Sequence, residues 1–108
     1  MPSVLATASA AVRPGVTNED VRTAYTAAFK KEPFVHVLSE GTWPQTQATL
    51  GSNSVHVQAT VDDRVGRLVA VAALDNLTKG TAGGAVQTMN LAVGLDETTG
   101  LSTVGVAP

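Results

Sequence analysis

The segment DNLTKGTAGGAVQTMN, residues 75–90, holds the residues best suited to chemistry. It places a lysine, three glycines and carboxamide side chains around a predicted helix start. A helix N-terminus presents unpaired backbone N–H groups and partial positive charge, so Lys79-Gly80-Thr81 is suited to an anion or a polarised carbonyl. The spacing matches neither G-x-x-x-x-G-K-[ST] nor G-x-G-x-x-G. The residues alone therefore favour a packing role, in which the glycines let another element approach.

The two histidines are weaker candidates. His36 lies in a predicted strand on the same side as Phe34, which favours a structural role over that of a ligand or base. His56 shares a strand face with Gln58 and Thr60, which favours solvent or a subunit contact over catalysis. No histidine or carboxylate pair has the spacing that would converge on an ion, and no nucleophile elbow is present. We therefore predict no catalytic residue and no metal ligand in this chain.

Composition excludes several classes of protein. The chain has 108 residues, a net charge of −2 and seven scattered basic residues, so nucleic acid is not an expected partner. It has no cysteine, which excludes disulfides, a thiolate nucleophile and Cys-rich metal sites. The apolar run at 68–74 is far shorter than a membrane span, and the N-terminus lacks the features of a signal peptide. We expect a cytoplasmic protein without membrane contact.

Hydrophobic periodicity predicts one α+β domain, with helices on one face of a mixed, mainly antiparallel sheet. Gly80, Gly83 and Gly84 lie inside the helix predicted at 80–94 and cost about 0.8–1 kcal/mol each relative to alanine, so contacts outside that helix must offset the cost. The predicted elements are strand 4–12, a helix capped by Thr17 and Asp20 and stopped at Glu32-Pro33, strand 34–38, a hairpin of strands 55–61 and 68–74, helix 80–94 ended by Gly94, and an irregular tail 96–108.

The stretch DNLTKGTAGGAVQTMNLAVGLDETTGL resembles the C-terminal signature of N-acetyl-γ-glutamyl-phosphate reductases. The upstream segments EPFVHVLSEGTWPQT and GSNSVHVQ fall where that family has similar sequences, and the resemblance extends over essentially all 108 residues. A shorter core, Asn-Leu-x-Lys-Gly before an Ala-rich helix, is shared with aspartate-semialdehyde dehydrogenases.

The resemblance implies an NADP-dependent enzyme of arginine biosynthesis with an N-terminal Rossmann domain and a substrate-binding, dimerisation domain. In that family a cysteine thiolate displaces phosphate, NADPH reduces the resulting thioester to the semialdehyde, and a histidine is the acid/base. This chain has no cysteine and no G-x-G-x-x-G, and the family's catalytic histidine lies upstream of the matched region. Residues 1–108 are therefore expected to be the C-terminal part of the second domain, with Met1 a start inside that domain and no activity alone.

The resemblance also assigns site residues and partners. Asn76 is expected to face the nicotinamide carboxamide of NADP, with Lys79 and Gly80 beside the same pocket. Gln87 and Asn90 are expected to bond to the Rossmann domain or to the backbone. Residues 80–85 would lie close against the missing N-terminal Rossmann part. A homo-oligomer is expected through a polar sheet face, comprising Thr7, Ser9, His56, Gln58 and Thr60.

Two other functions remain open at this stage. The chain could be a stand-alone, non-catalytic dimerisation module, or a segment of an aspartate-semialdehyde dehydrogenase-like enzyme that acts on a different acyl phosphate. An upstream reading frame with a cysteine and Rossmann glycines would favour an enzyme over a module.

Overall fold

Four strands form one mixed sheet in the order β1-β4-β3-β2. The computed structural model describes residues 3–106 of the chain. β4 pairs antiparallel with both β1 and β3, and β2 pairs parallel with β3. The predicted α+β class with a mixed, mainly antiparallel sheet is confirmed. The strands are β1 (Ser3–Ala11), β2 (Val35–Val37), β3 (Val55–Asp62) and β4 (Arg67–Asp75).

Side-chain alternation along β3 gives the sheet two different faces. Ala59 and Val61 lie on one face, where they form the buried apolar cluster with Val21. We call this side the helix face. His56, Gln58 and Thr60 lie on the other side, which we call the loop face because the segment after β2 covers part of it.

Helix α1 (Asn18–Phe29) packs on the helix face. Its N-cap is Thr17, whose hydroxyl accepts from Asp20 N at 3.1 Å while the Asp20 carboxylate accepts from Thr17 N at 3.0 Å. This reciprocal capping box is the one that the sequence predicted. The helix ends at Phe29, before the predicted stop at Glu32-Pro33.

The second half of β3 is an open sheet edge, because β2 pairs with β3 only from Val55 to Val57. Side chains replace the missing strand there. Asn18 Oδ1 accepts from Val61 N at 2.6 Å, and Gln58 Oε1 accepts from Ala59 N at 3.1 Å. These bonds satisfy backbone donors that a further strand would otherwise bind.

A four-residue helix, α2 (Thr46–Thr49), was not predicted. It contacts β4 and β1, and its Ala48 lines a cleft with His56 on the loop face. Because α2 is hardly more than one turn long, its sequence carries no helical period to detect. The polar face through which we expected a homo-oligomer is thus partly covered by α2 and by the segment after β2, and Gln58 is only 3% exposed.

The C-terminal helix begins earlier than predicted, and its first turn is not an α-helix. A π-helical turn, Thr78–Ala82, leads into α3 (Gly83–Ala92). Gly94 ends this helix with a φ of +79°, as predicted. Apolar residues at the C-terminal end of this helix are exposed, with Met89 at 51% and Val93 at 64%. Within residues 3–106, no helix is long and apolar enough to cross a membrane.

Candidate functional site

Asp75, the last residue of β4, fixes the start of the C-terminal helix. Its carboxylate is 4% exposed, and Oδ1 accepts from Leu77 N at 2.8 Å and from Thr78 N at 3.0 Å. The other oxygen, Oδ2, accepts from Gly51 N at 2.7 Å. The bond from Gly51 N is the main reason why the pKa of Asp75 is lowered, and the bonds from residues 77 and 78 act in the same direction. The carboxylate is therefore ionised at neutral pH.

This carboxylate changes the interpretation of the helix start. We noted that Lys79-Gly80-Thr81 could suit an anion, because a helix N-terminus attracts negative charge. The structure places the Asp75 carboxylate on two of the N–H groups at that end. The chain thus supplies its own anion, and this helix start is not a free phosphate cradle. Asp75 could have been recognised from the sequence as a polar residue that caps the start of the helix. It was missed because the helix was predicted to start near residue 80.

Asn76 and Gly80 lie together on the exposed surface. A Cβ added at Gly80 would stand 2.5 Å from Asn76 Oδ1, so the absence of a side chain at Gly80 leaves room for the carboxamide. The Thr81 hydroxyl donates to the Asn76 carbonyl oxygen at 2.6 Å and fixes the backbone of the same turn. An exposed carboxamide can both donate to and accept from another carboxamide, so Asn76 is accessible for the predicted pairing with a nicotinamide amide, which stays a prediction.

The side chain of Lys79 does not lie on the surface that carries Asn76 and Gly80, the two residues with which it was predicted to form a pocket. Its ammonium donates to Gln87 Oε1 at 2.6 Å and stands 5.5 Å from the centre of the buried Phe34 ring. The same Gln87 oxygen accepts from Asn53 Nδ2 at 2.9 Å. Lys79 is thus directed into the chain, where it holds Gln87, rather than toward the surface that carries Asn76.

Two glycines of the motif are explained by contacts inside this chain. A Cβ at Gly83 would collide with Asn53 Oδ1 and would stand 2.6 Å from Thr78 O. A Cβ at Gly84 would stand 2.7 Å from Lys79 O. Both carbonyls belong to the π-helical turn, which a β-carbon at these positions would obstruct. These internal contacts account for the two glycines, and the approach of a missing domain to residues 80–85 stays a prediction.

Asn90 and Gln87 tie the C-terminal tail to α3. Asn90 is 1% exposed, and its Nδ2 donates to Glu97 O at 3.1 Å and to Thr99 O at 3.0 Å. Gln87 Nε2 donates to the Glu97 carboxylate. The expected backbone role of Asn90 is confirmed, and the bonds of Gln87 described here go to side chains of this chain.

The two histidines form an edge-to-face pair across β2 and β3, with ring centres 5.5 Å apart. His36 Nε2 lies 3.0 Å from Ser54 Oγ, and that hydroxyl donates to Thr103 O at 2.8 Å. Because a hydroxyl has one hydrogen, His36 Nε2–H must donate to Ser54. His36 is therefore a hydrogen-bonded structural histidine, as the sequence predicted. Burial lowers the pKa of His56, and repulsion from His36 lowers it further.

Residues 3–76 match the sequence profile of the family described as "Semialdehyde dehydrogenase, dimerisation domain". The chain belongs to this family. The semialdehyde dehydrogenase fold is also seen in aspartate semialdehyde dehydrogenase II from Vibrio cholerae, complexed with ASA. That structure aligns with a TM-score of 0.64 at 20% identity, covering 84% of this chain and 27% of the Vibrio chain.

Curated relatives of this dimerisation domain are longer proteins named N-acetyl-gamma-glutamyl-phosphate reductase. The Saccharopolyspora erythraea relative is 70% identical over 105 residues, and the match covers 97% of this chain and 31% of the relative. The Streptomyces coelicolor relative is 62% identical with the same coverage, and that of Corynebacterium glutamicum (strain R) is 56% identical, with 30% of its length covered. The chain thus spans about 31% of the curated relatives' length, and the predicted resemblance to this family is confirmed.

Replacement of Gly83 by alanine is expected to lower the free energy of unfolding by about 1–3 kcal/mol, because the new methyl group meets the backbone at Thr78 O. Gly80→Ala is the matched control, since its methyl meets only the exposed Asn76 side chain, which can rotate. Urea unfolding monitored by circular dichroism measures both. Equal stability of the two variants would contradict the packing role of Gly83.

The lowered pKa of His56 predicts a pH-dependent stability. His56 has an ordinary pKa of about 6.5 in the unfolded chain and a lower pKa in the folded chain. Its contribution to the free energy of unfolding is therefore complete above pH 6.5 and is lost as the pH falls through the lowered pKa. The melting temperature should therefore be lower at pH 5.0 than at pH 7.5, and the difference between the two should be smaller in His56→Gln. An unchanged pH dependence in His56→Gln would contradict this assignment.

Proposed function

We propose that the chain is the C-terminal part of an NADP-dependent N-acetyl-γ-glutamyl-phosphate reductase. Such an enzyme converts N-acetylglutamyl phosphate to the semialdehyde in arginine biosynthesis, in the cytoplasm. The observation that carries the proposal is the 70% identity over 105 residues to the Saccharopolyspora reductase. None of the 108 residues is a cysteine, so the thiolate of this reaction must come from outside the chain, which is inactive alone.

In this proposal Asn76 pairs with the nicotinamide carboxamide. Its support is the geometry of the turn, in which the Asp75 carboxylate binds the N–H groups of the two residues after Asn76 and Gly80 leaves the exposed amide room. NADPH supplies the hydride when it is bound, mainly to the Rossmann part. Lys79 acts from inside the chain by holding Gln87, and so supports the turn that carries Asn76 and Gly80.

Two partners follow from the exposed surfaces. The N-terminal Rossmann part covers the apolar residues exposed at the end of α3 and just after it, which are Met89 at 51%, Leu91 at 60% and Val93 at 64%. A second copy of the domain binds the loop face. A stand-alone dimerisation module is the second candidate function, and the description of the matched family as a dimerisation domain favours it.

Fusion of this chain behind the N-terminal part of the Saccharopolyspora reductase tests the proposal. The fusion is expected to reduce NADP in the presence of N-acetylglutamate semialdehyde and phosphate, because it restores the cysteine and the dinucleotide domain. The chain alone should give no turnover above the buffer blank. Turnover by the chain alone, or a folded fusion that neither binds NADPH nor turns over, would contradict the reductase assignment.

Asn76→Ala in the same fusion should weaken NADPH binding and lower kcat/KM. The loss corresponds to about 1–3 kcal/mol, because the cofactor amide is left without its partner in a closed site. Titration of NADPH fluorescence gives the Kd, and a thermal melt gives stability, which should stay near the parent value. Leu77→Ala, at a neighbouring residue that is 63% exposed, is the control. A lower melting temperature with unchanged NADPH binding would make Asn76 a structural residue instead.

A further inference from the structure

The C-terminal end of the region that the structure describes is held against the segment that leads from α2 into β3. We call residues 102–106 the strap and residues 48–54 the inner segment. At the start of the strap, Asn53 N donates to Ser102 O at 2.8 Å, and further bonds follow toward the end of the strap. The two segments run in opposite directions, so the strap lies beside the inner segment over most of its length.

Glycine at position 105 lets the strap lie this close. A Cβ added at Gly105 would collide with the backbone oxygen of Ala48. The next residue, Val106, donates its N–H to Leu50 O at 2.8 Å. A Cβ added at Gly51 would stand 2.8 Å from Val106 Cγ2, so the side chain of Val106 packs against Gly51. The strap therefore fixes the backbone at Gly51 and just before it.

Gly51 connects the inner segment to the turn that carries Asn76. Its N–H donates to Asp75 Oδ2 at 2.7 Å, while the other oxygen of that carboxylate accepts from Leu77 N and Thr78 N. The carboxylate is 4% exposed, so loss of the bond from Gly51 would leave a buried charged oxygen without its donor. A displacement of Gly51 therefore disturbs the carboxylate and the backbone that follows Asn76.

A second contact joins the inner segment to the start of α3. Asn53 is fully buried, and its Nδ2 donates to Gln87 Oε1 at 2.9 Å. Its Oδ1 lies where a Cβ at Gly83 would be. Because the backbone N–H of Asn53 is bound to the strap, the strap fixes this contact as well. The inner segment thus meets the turn at both of its ends.

The strap buries little apolar surface of its own. Val104 is 71% exposed and Val106 is 73% exposed. Since hydrophobic stabilisation is proportional to the apolar area removed from water, these side chains contribute little to the free energy of unfolding. The strap therefore acts mainly through its backbone bonds and its close approach, which fix where the inner segment lies.

We propose that the strap positions Asn76 for the nicotinamide carboxamide by holding Gly51 against the Asp75 carboxylate. Gly105 and Val106 are positioning residues in this proposal, since they act on the turn only through the inner segment. The inference rests on the cofactor role of Asn76 in the proposed function and deepens it by naming what holds the backbone beneath that side chain.

Hydrogen exchange in the 108-residue chain tests the mechanical part of the proposal without the cofactor. In Gly105→Ala the new methyl group lifts the strap, so the three amides that donate to Asp75 should exchange about tenfold faster. The pKa of Asp75 should rise in the same variant, because the bond from Gly51 N is the main cause of its lowering. Val104→Ala is the control in the same strap, and it should change neither quantity.

NADPH binding tests the functional part in the fusion with the N-terminal part of the Saccharopolyspora reductase. Gly105→Ala should raise the NADPH Kd about fivefold, and Val104→Ala should leave it near the parent value. In the Asn76→Ala background, Gly105→Ala should have a much smaller effect, because the strap acts through Asn76 and the two losses are not additive. A strap that only stabilises the fold would give additive losses.

The outcomes separate this inference from the function on which it rests. Unchanged exchange of the three amides in Gly105→Ala, or additive effects on the Kd, would overturn the inference and leave the reductase assignment standing. A fusion that does not bind NADPH, or in which Asn76→Ala leaves the Kd unchanged, would overturn the cofactor role and the inference together. If Gly105→Ala does not fold, Val106→Pro decides in both measurements, since it removes the N–H that binds Leu50 O at an exposed residue.

Discussion

The buried carboxylate of Asp75 is the interaction on which the rest of the C-terminal half depends. It joins the end of β4, the first N–H groups of the C-terminal helix and Gly51 of the segment before β3. A buried charge is stable only when it is fully hydrogen-bonded, and three backbone N–H groups bind this carboxylate. The direction in which the helix leaves the sheet, and with it the position of Asn76, follows from this one group.

Side-chain amides also fix irregular or open backbone elsewhere in the domain. Gln58 binds the segment after β2, Asn90 binds the tail, and Asn18 satisfies the open edge of β3. Asn53 is fully buried beside Gly83, and within residues 3–106 its Oδ1 is a buried oxygen without a hydrogen-bond partner. The described core has few large apolar side chains, so polar side chains that bind the backbone fix how its irregular segments pack.

The surfaces that this packing leaves open are consistent with a domain made for association. Apolar residues are exposed along α3 and on β1, and Trp43 is 42% exposed in the segment after β2. The relatives are about three times as long as the region that matches this chain, as the 31% coverage states. Exposed apolar surface of this kind is stable in water when further protein covers it, which links the geometry to the proposed Rossmann part and second copy.

The sequence by itself determined the strands, the Thr17 capping box, the β3–β4 hairpin and the Gly94 helix end, because local periodicity and caps specify each of them. It also identified the family through the 75–90 motif. Only the tertiary structure decided that Asp75 fills the helix start, that Lys79 turns away from Asn76, and that Gly83 packs on Asn53. The contacts of Asp75 with Gly51, which is 24 residues away, and of Gly83 with Asn53 join distant positions, so no local pattern encodes them. The bonds of Asp75 to the helix start are local, and they were missed because the helix was predicted to start near residue 80.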